Sequence, residues 1–128
     1  MSSQGLTRMR WAAWILLTLT TAFWLWFGMG SAWVEKLGLV NWVMHLILPG
    51  GLLLSTLLAA WRWSAVGGAL SALEGFLAMA AILWAAAGRY SRELALTMTL
   101  TLPLPLLVAG ALLLLSRGVM TKAKSLGG

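Results

Sequence analysis

The chain has 128 residues, 61% of them hydrophobic and only 9% charged, with nine Lys or Arg, three Glu and no Asp. Soluble domains carry about 25% charged residues, so composition excludes a water-soluble globule. The net charge of +6 forms no basic stripe and accompanies no nucleic-acid-binding motif, so nucleic acid is not an expected partner and the lipid bilayer is.

Residues 11–33, 38–60 and 94–116 contain no charged side chain, and residues 64–88 contain one, Glu74. Each stretch exceeds the ~20 residues that a helix rising ~1.5 Å per residue needs to cross a ~30 Å hydrocarbon core. Too little chain remains for a soluble domain. The expectation is an all-α membrane protein, residues 1–128 forming one four-transmembrane-helix antiparallel bundle.

The first helix follows a short polar lead with Arg8 and Arg10, and places Trp11, Trp14 and Trp33 near its ends, where indoles favour the headgroup level. Its apolar run is longer than a signal-peptide core, so it is expected to stay uncleaved. Trp24 and Trp26 sit in mid-span beside Phe23 and Phe27, as packing residues or as an outward face for lipid or a subunit. Glu35 and Lys36 make a tight turn. The second helix opens with Asn41, Trp42 and His45, meets Pro49 near its middle, and closes on Trp61-Arg62-Trp63. Two indoles flanking a guanidinium that can reach phosphate form a membrane anchor.

The third helix begins at once, so the second and third form a hairpin. Gly67, Ser71 and Gly75, spaced by four, make a small-residue ridge for close helix packing. The fourth helix carries Thr97, Thr99 and Thr101 and then Pro103 and Pro105, in an alternation that looks strand-like. A lone strand cannot cross lipid with its backbone unpaired, so a helix kinked or interrupted by the prolines is expected, with threonine hydroxyls serving the freed carbonyls.

If the helices alternate, Arg8, Arg10, Arg62, Arg117, Lys122 and Lys124 share one face. Lys36, Arg89 and Arg92 lie on the other, beside Glu35 and Glu93. The basic excess puts both termini in the cytoplasm, most simply at a prokaryotic inner (cytoplasmic) membrane.

The candidate site is intramembrane. Glu74 lies roughly 14 Å from the start of its helix, near the midplane, where carboxylates usually face the bundle interior. Ser71 and Thr101 join it as polar neighbours. Pro49 leaves the His45 carbonyl without its helical donor, and Pro103 and Pro105 do the same for Thr99 and Thr101. A neutral Glu74 could donate to such a carbonyl, and an ionised one could share a cation or proton with it. His45, the only histidine, is a possible relay or haem or pigment ligand, or else simply bonds near Asn41. Without Cys or Asp, and without a phosphate loop or metal-ligand spacing, the inventory for an enzyme is thin.

Three elements carry a resemblance: His45-Leu46-Ile47-Leu48-Pro49, Ala60-Trp61-Arg62-Trp63, and Val66-Gly67-Gly68, with Pro105 to Arg117 as a late proline, an apolar run and a basic end. Over roughly residues 40–117 the chain resembles a group of small uncharacterised four-helix membrane proteins of bacteria and archaea, a domain of unknown function. The resemblance implies the fold and a membrane location, and it brings no activity with it. From the residues, the leading expectation is a non-enzymatic accessory or structural subunit of a larger membrane complex, binding other membrane subunits or itself. The alternatives are a small oligomeric ion- or proton-coupled transporter or channel using Glu74, and a haem- or pigment-binding subunit using His45.

Overall fold

In a computed structural model the described residues are 2–36, 38–88 and 90–127. Arg89, counted above in the third connection, lies outside them. Four helices, α1 (Ser3–Val34), α2 (Leu39–Arg62), α3 (Ser64–Ala86) and α4 (Arg92–Gly127), are each long and apolar enough to cross a membrane. Helix α1 begins eight residues before the expected start at residue 11, because Ser2 caps it by accepting from the Gly5 amide at 3.3 Å. Helix α4 is likewise longer than residues 94–116. Ser91 caps its start by accepting from the Leu94 amide, and helix continues to Gly127.

Two helices are interrupted where proline predicts it. In α2 a wide turn over Ile47–Gly51 separates Leu39–Leu46 from Leu52–Arg62, with Leu48 extended (φ −114°, ψ 118°). In α4 the break falls at Leu102, between Arg92–Thr101 and Pro103–Gly127. Pro103 thus occupies the first position of a new helical segment, where a missing N–H removes nothing.

Each helix packs on its chain neighbours and α4 closes on α1, giving a ring in the order α1-α2-α3-α4. The core draws Ala13, Leu17 and Trp24 from α1, Leu53 and Ala60 from α2, and Leu106, Ala109 and Leu113 from α4. Helix α3 contributes almost nothing bulky, and its buried residues are Gly67, Gly68, Ser71, Gly75 and Ile82. The reason is physical: lipid supplies no hydrophobic drive between helices, so α3 associates by bringing backbone close to backbone. A methyl on Gly67 would collide with the backbone of Ala60, and one on Gly110 would lie 2.8 Å from both Ala72 N and Gly68 O. The ridge of Gly67, Ser71 and Gly75 is therefore used inside the chain, on α2 and α4.

Candidate functional site

Three of the four seams of the bundle are joined by a side-chain hydrogen bond. Between α2 and α3, Thr56 Oγ1 donates to Glu74 Oε1 at 2.6 Å. Between α3 and α4, the fully buried Ser71 donates its hydroxyl to the Leu106 carbonyl at 2.7 Å. Between α4 and α1, Trp24 Nε1 donates to the Thr101 carbonyl at 3.0 Å. The fourth seam, α1 on α2, has no side-chain bond of this kind among the described residues. It has close backbone contact instead: a methyl on Gly28 would lie 2.5 Å from the His45 carbonyl oxygen.

These partners change the reading of the prolines. Thr101 O is the acceptor that Pro105 frees, and the indole of Trp24 takes it, so neither Glu74 nor a threonine hydroxyl serves it. The threonines bond back within their own helix instead: Thr97 to Glu93 O, Thr99 to Ala95 O, and Thr101 to Thr97 O and Met98 O. A threonine hydroxyl reaches the carbonyl one turn before it more easily than one ahead of it, which is why the expectation fails. The His45 carbonyl freed by Pro49 lies against Gly28, the one residue type that lets α1 approach so closely.

Glu74 is half-buried in mid-helix and holds α3 to α2 through Thr56. Its second oxygen, Oε2, is buried with no hydrogen-bond partner among the described residues, as is Thr21 Oγ1 of α1. His45 is elsewhere. Its Nδ1 lies 3.1 Å from the Asn41 carbonyl, which requires the proton on Nδ1, and its Nε2 is 3.9 Å from Glu35 Oε2. Thr56 lies eleven residues further along α2, roughly 16 Å at ~1.5 Å per residue, so His45 and the Glu74 carboxyl do not form a direct relay. Asn41 takes part through its backbone oxygen only, at the exposed start of α2. Among the described residues no three His, Cys, Asp or Glu side chains gather to hold a metal ion.

The outer aromatic residues divide sharply. Trp24 is 8% exposed, whereas Trp26 is 69% exposed and forms an outward cluster with Phe23 and Phe27. Phe23 and Phe27 stack with centroids 6.2 Å apart, and Phe23 and Trp26 lie at 6.5 Å. A groove of about 440 Å³ runs from Trp26 and Phe27 past Gly30 and Ser31 to Glu35. At the other end of α2, Trp61, Arg62 and Trp63 are all exposed, and Trp61 meets Trp14 edge-on at 6.4 Å.

Sequence reasoning missed Thr56 and Gly28 altogether, and for Trp24, read as a packing or outward residue, it missed the bond to Thr101. For Trp24 the signal was present in two halves, since a buried indole N–H needs an acceptor and Pro105 frees one at Thr101. For Thr56 it was a lone hydroxyl in a leucine run on the hairpin partner of Glu74. The family model described as a domain of unknown function, DUF7670, matches residues 2–126, well beyond the 40–117 that the short motifs cover. No curated protein and no solved structure matches the chain.

Proposed function

The chain belongs to the DUF7670 family, a domain of unknown function, and on that premise we propose that it is a non-enzymatic integral membrane protein serving as an accessory or structural subunit of a larger membrane assembly. The observation that carries this reading is the outward cluster of Phe23, Trp26 and Phe27, set in the span rather than at its ends, with a groove that leads from it to the α1–α2 turn. Indoles that face lipid favour the headgroup level, so an exposed Trp26 in mid-span suits a flat contact with another protein helix. The inner polar groups support the same reading, because they tie the four helices to one another. Both termini are cytoplasmic on this proposal, in a prokaryotic inner membrane, as the basic residues favour.

The test is extraction of the full chain from its native membrane in mild detergent, followed by native electrophoresis. A species larger than the monomer is expected, and Trp26→Ala should release the monomer from it. A lone monomer in every detergent overturns the proposal.

A second reading has one observation in its favour: Glu74 Oε2 is buried without a partner among the described residues, so the carboxyl keeps a free position for a proton or cation. In that case the protein is a small ion- or proton-coupled transporter or channel. Proteoliposomes carrying the Glu74→Gln variant would then lose flux, and unchanged flux removes this reading.

A further inference from the structure

We propose that the end of the bundle carrying the N-terminus holds a binding site for a phosphate group, most directly that of an anionic phospholipid headgroup. A cavity of about 440 Å³ opens there between α1, α3 and α4, lined by Arg10, Trp63, Ser64, Val66 and Arg117 among others. Two arginines from helices distant in sequence thus line one space, and a guanidinium can give a phosphate paired N–H donors.

The same cavity meets the first turn of α3. Its first helical backbone bond runs from Gly67 N to Trp63 O at 2.9 Å, which leaves the amides of Ser64, Ala65 and Val66 without a helical acceptor. No side chain caps this turn and no acidic residue lies in it. All three residues line the cavity. Ser64 adds a hydroxyl that is buried and lacks a hydrogen-bond partner among the described residues. Uncapped amides and two arginines thus border one cavity, with the buried, unpartnered Ser64 hydroxyl beside them, and N–H donors of these kinds suit an anion.

Charge sets the sign of the ligand. The three acids of the chain are Glu35, Glu74 and Glu93, in the α1–α2 turn, mid-α3 and the first turn of α4, so none lies beside this cavity. Trp63 and Met120 add an apolar wall for the glycerol and first acyl carbons of a lipid. This site shares Trp63 with the Trp61-Arg62-Trp63 anchor read from sequence but draws on other cations, since Arg62 takes no part in lining it.

The purified full chain would be delipidated and titrated with phosphatidylglycerol, with phosphatidylcholine and with inorganic phosphate, and bound species counted by native mass spectrometry. Phosphatidylglycerol should be retained in preference to phosphatidylcholine, and Arg10→Gln with Arg117→Gln should weaken it about thirtyfold, as for two lost charges at a membrane surface. The matched pair Arg8→Gln with Lys124→Gln, which removes the same charge away from the cavity, should leave it unchanged. Both cavity arginines are exposed, and circular dichroism checks that helix content survives their loss; Arg117→Gln alone carries the test if the double variant unfolds. Displacement of lipid by inorganic phosphate would keep the site and assign it to free phosphate. Equal losses in both variant pairs, or retention of neither phosphatidylglycerol nor phosphate, overturn the proposal.

Discussion

Replacing Gly110 by Ala tests whether backbone proximity is what holds α3 on α4. In an exposed helix position the change should stabilise by up to about 1 kcal/mol, through helix propensity. Gly118, with open space around the added methyl, is such a position in the same helix. At Gly110 the methyl would lie 2.8 Å from Ala72 N and Gly68 O, and 3.1 Å from Ala72 Cα. All three are backbone atoms, so no rotamer change relieves the clash. Restoring ordinary contact at 3.4 Å requires the helices to part by about 0.6 Å. The same movement would stretch the Ser71–Leu106 bond, now 2.7 Å, toward about 3.3 Å. Overpacking of this kind costs about 1–3 kcal/mol and a weakened interhelix bond up to about 1 more. The propensity gain is common to both positions, so Gly110→Ala should be about 1–4 kcal/mol less stable than Gly118→Ala. Titration with sodium dodecyl sulfate in mixed micelles, followed by far-ultraviolet circular dichroism, measures the difference. A Gly110→Ala protein as stable as Gly118→Ala would refute the close-contact account of α3.

The Thr56–Glu74 bond should show as a coupling of about 1 kcal/mol in a double-mutant cycle of Thr56→Val and Glu74→Leu, each of which removes one partner, read by the same titration, and additive effects would mean the bond contributes nothing. Trp24→Phe removes the donor to the carbonyl that Pro105 frees and should cost about 1–2 kcal/mol, whereas Trp26→Phe on the outer face should change stability by less than about 0.5. Equal effects of the two would contradict the assignment of Trp24 to the α1–α4 seam. Reporter domains active only in the cytoplasm should give signal when fused at either terminus; activity at one end alone would overturn the inside placement of both.

The spans and the proline breaks could be read along the chain, because each depends on residues close in sequence. The polar residues were equally visible, but their partners were not. Glu74 pairs with Thr56 across the hairpin, Ser71 with Leu106, and Trp24 with Thr101, at separations of 18, 35 and 77 residues. Hydropathy has no information about which helix stands beside which, so it left the freed carbonyls to their nearest hydroxyls. Those hydroxyls instead satisfy carbonyls in their own turns.

Sequence by itself determined that the protein has four helices fit to cross a bilayer, where two of them break, and that one carboxyl sits in the middle of a span. Its apolar runs and prolines decide this locally, since a backbone in lipid must satisfy its own hydrogen bonds. Only the tertiary structure decided that the ring closes α4 onto α1, and that glycines on α1, α3 and α4 let backbones meet. It also decided that Arg10, Ser64 and Arg117 share a cavity. These outcomes depend on helix rotation and neighbour choice, which are set by the fit of small residues and single interhelix bonds, and that fit has no one-dimensional signature.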